Sequence, residues 1–207
     1  MVGELPSCET KLELSRTRAA FYRKVVQRYR DAIAAGEEKT VPELKGLILP
    51  ADAAVQKSKE EIIEGIGRGE FEFDRDFTSF AAAAVSFCHS LAPIESELGV
   101  PFWLSPAEIM DIRAADEFDR ALLLCSLLRS TGCRSARVRV LQLEGGAEHP
   151  LVAFDCAGSR TYADPSQWDK ARQLGDPADE ALKEFSYEGK KFVASKYEFD
   201  DEQYAEF

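Results

Sequence analysis

Apolar positions follow a helical spacing through the first half of the chain and an alternating one afterwards. Leu14, Ala19, Phe21, Tyr22, Val25, Val26, Tyr29 and Ile33 lie near a 3.6-residue period. They predict a helix over about Leu12 to Ala35, with Gly36 as its stop. Thr40-Val41-Pro42-Glu43 has the form of a capping box with proline in the first turn, predicting a short helix through Leu49 that Pro50 ends. A further helix is expected from Ala51 to Glu64. The glycine-rich corner Gly65-Ile66-Gly67-Arg68-Gly69 then separates an N-terminal helical region, 1–69, from a second region, 70–207.

Two more helices and a set of strands are predicted beyond that corner. Small residues in Phe80-Ala81-Ala82-Ala83-Ala84-Val85 place a helix from Phe77 to about Leu91 that allows close approach of a neighbour. Ser105-Pro106 is a natural N-cap and first helical residue, preceded by Trp103, which is expected to be buried. Asp116 can cap a helix running from Glu117 to about Thr131, with Gly132 closing it. After Gly132 the period changes to two. Arg134 to Val140 alternates polar and apolar side chains, the mark of a half-buried strand. His149–Phe154, Arg160–Ala163 and Lys191–Tyr197 read as further strands, with turns at Gly145-Gly146 and Ala157-Gly158. Helices first and strands after predict an α+β fold.

Composition fits an ordinary globular chain: 207 residues, 45% apolar and 30% charged. A net charge of −11 disfavours nucleic acid or an anionic membrane as main partner. No apolar run is long enough to span a bilayer, and Met1 to Pro6 lacks a basic region followed by an apolar one, so a cytoplasmic protein is expected. Five cysteines without C-x-x-C spacing fit neither a disulfide framework nor a zinc knuckle, and reduced, structural thiols are expected. The predicted first helix carries a basic cluster, Arg16, Arg18, Arg23, Lys24, Arg28 and Arg30. The cluster could dock an acidic partner or nucleic acid, but with no aromatic platform or binding motif beside it, it reads as a solvated face or one paired with the acidic body of the same chain.

One constellation has the layout of a catalytic site. Asp116-Glu117-Phe118-Asp119-Arg120-Ala121-Leu122-Leu123-Leu124 is followed by His149 and then by Asp164-Pro165-Ser166. In order and spacing this resembles the active-site segments of transglutaminase-like, papain-type domains of archaeal and bacterial type, whose first segment reads G-D-C-x-D-x-A-x-L-L. Trp103-Leu104-Ser105-Pro106-Ala107-Glu108 resembles the W-x-x-P-x-E segment that precedes it. The resemblance runs from about Phe77 to Phe207. It implies a papain-like core, in which a central helix packs on an antiparallel sheet, with an N-terminal helical extension. It also implies that the helix opens with the nucleophile, a strand starts with the histidine, and the next strand ends with the aspartate.

Here the departure from the pattern matters most. Glu117 stands where the cysteine belongs, and Ala115 where the glycine belongs. The residues at triad-equivalent positions are therefore Glu117, His149 and Asp164, expected to be catalytically inactive. A carboxylate is a poor nucleophile toward an amide, because the product is a high-energy anhydride. In the first turn of a helix it is nevertheless favoured by the dipole, and it could pair with protonated His149. The resemblance then implies a catalytically degenerate domain serving as a cytosolic binding or scaffolding module for a protein or peptide. The alternative is a hydrolase using Glu117-activated water with His149 and Asp164, or a relocated cysteine such as Cys156. A metal held by Glu117, His149 and an aspartate is the weaker option, and neither metal nor cofactor is expected. Cys88-His89 is no dyad, since neighbours on a helix point about 100° apart.

Overall fold

A computed structural model describes residues 8–67, 69–94, 102–167 and 182–207; Met1 to Pro6 and Arg68 of the glycine corner lie outside the described residues. The helices are α1 (Cys8–Glu37), α2 (Val41–Lys45), α3 (Ala53–Gly65), α4 (Phe73–Ser90), α5 (Pro106–Ile112) and α6 (Glu117–Ser130). The strands are β1 (Ala92–Pro93), β2 (Ala114–Ala115), β3 (Arg137–Leu143), β4 (Glu148–Cys156), β5 (Ser159–Ala163), β6 (Ser186–Tyr187), β7 (Lys190–Phe199) and β8 (Tyr204–Glu206). The chain divides into two compact units, one of Met1–Glu38 with Glu95–Trp103, the other of Lys39–Ile94 with Leu104–Phe207. Helices α2 and α3, assigned from sequence to the N-terminal region, thus belong to the second unit, where α3 packs on α4, α5 and α6.

Helix α6 is the centre of the second unit. Every residue from Asp119 to Leu128 is buried, so the helix has no solvated face there. Such a helix must be covered all round, and it is, by α3 and α4 and by strands β3 and β4. Each fully buried leucine contributes about 1.5–3 kcal/mol of transfer free energy. Five of them (Leu122, Leu123, Leu124, Leu127 and Leu128) make this one helix a large share of the core. Gly132, at φ +97, takes the chain out of α6, and the Cys133 amide donates back to the Leu128 carbonyl. That wrapping delays the next strand, which starts at Arg137 and not at Arg134.

The main sheet is antiparallel, in the order β5-β4-β3-β7-β6, with β8 also on β7. Two register shifts in β7 opposite β3 mark bulges, which bend that strand. β3 was expected to be half-buried, yet Arg139 on its polar face is also buried, against Glu198 of β7.

Helix α2 is shorter than its sequence suggests. Its capping box forms through Thr40 and Glu43, but the helix ends at Lys45. Leu49 precedes Pro50, which disfavours helical geometry there. The Leu49 amide turns to the Ser126 hydroxyl of α6 instead, at 3.0 Å.

Candidate active site

The N-terminus of α6 is fixed from three sides. Asp116 is its N-cap, extended at φ −81 and ψ −173, and its carboxylate accepts from the Asp119 amide at 2.8 Å. Asp119 in turn accepts from the Leu104 amide at 3.1 Å, which ties the start of α6 to the residue just before the capped helix α5. The short parallel pairing of β1 with β2 sets Ala115, itself fully buried, against Pro93. Beneath it the buried guanidinium of Arg120 donates to three carbonyls, those of Ala115 (3.3 Å), His89 (3.3 Å) and Leu91 (2.8 Å). One side chain therefore joins the end of α4, strand β2 and the first turn of α6.

Electrostatics at this helix end are unusual. Burial, then the neighbouring Asp116 carboxylate, push Asp119 up to about 7. Burial also raises Asp116, with the Glu117 charge adding to the effect. A crowd of carboxylates is thus concentrated at the positive end of the helix, where the dipole favours negative charge.

The imidazole and its partner come from neighbouring strands. His149 lies near the start of β4, opposite Leu141 of β3, and Asp164 directly follows β5. The β4–β5 register makes His149 and Asp164 diagonal neighbours on one face. His149 Nε2 meets Asp164 Oδ2 at 2.8 Å, with both side chains almost wholly buried. Gln167 donates to the same carboxylate oxygen at 2.7 Å, and the Ser166 amide to the other at 2.8 Å. Burial opposes ionisation of Asp164, but the hydrogen bond and charge of His149, with Gln167 and Ser166, outweigh it and hold the carboxyl below its usual range. With Nε2 engaged, Nδ1 is the ring nitrogen left for chemistry.

Tyr187 closes the constellation. Its ring stacks on the His149 imidazole, centroids 3.9 Å apart and planes at 27°, and its hydroxyl donates to Glu117 Oε1 at 2.8 Å. Burial, then that bond to the carboxylate, push the Tyr187 phenol well above its ordinary value. No hydrogen bond or ion pair joins Glu117 to His149 directly among the described residues, which corrects the direct pairing considered from sequence. Glu117, His149 and Asp164 are thus linked in series through Tyr187.

Other sequence candidates fall elsewhere. Cys156 sits seven residues along β4 from His149, about 23 Å at strand rise, and its thiol contacts Thr78 Oγ1 at 3.3 Å. Cys88, Cys125, Cys133 and Cys156 are free and buried; burial lifts the first three thiols above their ordinary value. His89 does not form a dyad with Cys88, because its Nδ1 faces the Pro165 carbonyl at 3.2 Å. Trp103 is half-buried, with its indole N–H on the Glu37 carbonyl at 3.0 Å. Sequence reasoning missed Tyr187, Gln167 and Arg120. For Tyr187 a signal existed: Phe185 and Tyr187, then Glu188-Gly189, then Phe192, which is aromatic alternation around a two-residue turn.

No family model matches this chain, and no curated protein matches its sequence. Among solved structures the chain is similar to Legionella pneumophila LapG, at 15% identity and a TM-score of 0.51, over 81% of this chain and 88% of that one. The calcium-bound form of the same protein aligns at 14% identity and a TM-score of 0.51, over the same shares. These likenesses speak to fold alone. The chain has an α+β fold of the kind seen in LapG, a central helix on an antiparallel sheet, with a long N-terminal helix.

Proposed function

We propose that this chain is a catalytically degenerate papain-like domain that binds a protein or peptide segment and does not cleave it. The observation that carries this reading is Glu117 at the start of α6, its carboxylate already engaged by the Tyr187 hydroxyl. In this reading Glu117, His149 and Asp164 hold the triad-equivalent positions. A thiolate there would be stabilised by the helix dipole and served by the imidazole. A glutamate keeps the negative charge but lacks the nucleophilicity.

Two further observations support it. Tyr187 spans the gap between Glu117 and His149, its ring stacked on the imidazole and its hydroxyl on Glu117 Oε1. The Cys156 thiol lies at the opposite end of β4 from His149, and the buried free thiols suit a reducing, cytosolic compartment. No helix among the described residues is long and apolar enough to cross a membrane.

A hydrolase using Glu117-activated water has one observation in its favour, the intact His149–Asp164 pair at 2.8 Å. Incubation of the full chain with fluorogenic peptide and amide libraries separates the two readings. The binding reading expects turnover identical in wild type and His149→Ala, both at background. Turnover that disappears in His149→Ala establishes the hydrolase. Panning a random peptide display library on the immobilised chain should enrich sequences whose affinity falls about tenfold or more in Tyr187→Ala. Absence of any enrichment removes the binding function.

A further inference from the structure

Helix α1 carries a repeat that the site does not use. Over its 30 residues, Leu12, Ala19, Val26 and Ile33 recur every seven positions, and Ser15, Tyr22 and Tyr29 recur with the same period between them. This alternating three-and-four spacing is the a and d seam of a coiled coil. Among the described residues much of the seam is open: Leu12 is 51% exposed, Tyr22 61% and Tyr29 55%, while Val26 and Ile33 are half-buried. A helix of this length, about 45 Å at 1.5 Å per residue, gains most of its stability from a packed apolar stripe.

The charges beside the seam choose the partner. Arg16, Arg23 and Arg30 follow Ser15, Tyr22 and Tyr29 at every repeat, and Lys11 and Arg18 precede Leu12 and Ala19 on the other flank. Between Lys11 and Arg30 there are seven cations and one carboxylate, Glu13, in a chain of net charge −11. A second α1 would bring cation against cation in either orientation, since flanking positions pair e with g when parallel and like with like when antiparallel. Self-pairing is therefore selected against, and a partner with carboxylates at those positions is selected for.

We propose that α1 is a docking helix for an acidic amphipathic helix of another protein, the two forming a heterotypic coiled coil with the Tyr22–Tyr29 seam at its centre. Apolar burial holds the pair together, and the arginine ridge sets its specificity and its salt dependence. This does not depend on the reading of the His149 site.

The probe is a synthetic helical peptide about four heptads long, with leucine at a and d and glutamate at e and g. Its control carries lysine at e and g. Titrated against the full chain by calorimetry, the acidic peptide should bind, and the lysine peptide should bind at least about tenfold more weakly. Binding of the acidic peptide should weaken as salt is raised, and should be lost in the triple variant Arg16→Glu, Arg23→Glu, Arg30→Glu while far-UV circular dichroism stays unchanged. Equal affinity for both peptides, or none for either, overturns the proposal without any variant. Sedimentation showing a dimer through α1, or tight binding to phosphatidylserine vesicles with none to the acidic peptide, overturns it as well.

Discussion

Two buried ionic clusters lie on the same sheet and do opposite things. In one, Arg139 of β3 sends two N–H groups to Glu198 Oε2 of β7, at 3.1 and 2.7 Å, while Arg137 reaches Oε1 at 2.9 Å and Arg160 approaches at 3.7 Å. Arg139 is further covered by the Phe207 ring, 4.4 Å from its centroid. In the other, one imidazole meets one carboxylate, with Tyr187 and Glu117 beyond. The guanidinium cluster holds fixed charges, because arginine does not lose its proton near neutral pH. The imidazole cluster leaves one ring nitrogen, Nδ1, outside the His149–Asp164 bond. Buried charge alone therefore does not mark a candidate site; a pair with an unspent ring nitrogen does.

The largest expected effect is on the fixed cluster. Arg139→Met leaves Glu198 buried with its main partner gone and should cost about 3–5 kcal/mol, read as a lower urea midpoint. Adding Glu198→Met should recover only part of that loss: an apolar pair replaces both charges, but Arg137 and Arg160 then lose Glu198 as well. If the single variant is as stable as wild type, the cluster is not a structural element.

Next comes the pH dependence, to which both clusters contribute. Burial opposes ionisation of Glu198, but Arg139 and Arg137 outweigh it and hold the carboxyl below its ordinary range, so its stabilisation is lost as pH falls through the folded value. Asp119 has a folded value of about 7 against an ordinary 3.8, so the native state binds its proton more tightly than the unfolded state does. Stability from this group is fully present below about pH 4 and falls as pH rises through about 7, by on the order of 4 kcal/mol. Asp119→Asn should remove that slope, and Arg139→Met should leave it. Asp164 works the other way. Its lowered value means stability that is present above about pH 4 and lost as pH falls through the folded value. Urea melts across pH 3 to 8 check both signs.

How much of this the chain announces depends on sequence distance. The cap at Asp116, the N-cap at Ser105 with Pro106 after it, the central helix and the strands that start at His149 and lead to Asp164 rest on local signals, and all four formed. The fold class was legible for the same reason. The link from Tyr187 to Glu117 was not, although aromatic alternation marks its strand, because the two residues are 70 apart in sequence. Nor was the burial of Arg139. Alternation in β3 predicts a polar face correctly, but only the arrival of β7 with Glu198 turns that face into an ionic core. Arg120 is a third case: a charged residue between Asp119 and Ala121 looks exposed, and the carbonyls of Ala115 in β2 and of His89 and Leu91 at the end of α4 engage it in the interior.

A smaller effect sharpens the contrast at the site. Tyr187→Phe removes one hydroxyl from Glu117 while keeping the ring on His149, and should cost about 1 kcal/mol. It should leave the Asp119 slope intact. A loss as large as that of Arg139→Met would mean that Tyr187 is a core residue and not a cover over the imidazole.

The claim that Glu117 stands at the nucleophile position before His149 has one direct test. Glu117→Cys places a thiol at the N-terminus of α6, where the dipole and an adjacent imidazole should lower its pKa. Alkylation by iodoacetamide at pH 6, followed by peptide mass mapping, should label residue 117 rapidly. The rate should fall about tenfold or more when His149→Ala is added. An equal rate with and without His149 would mean that the imidazole does not serve position 117, and the triad-equivalent reading would be wrong.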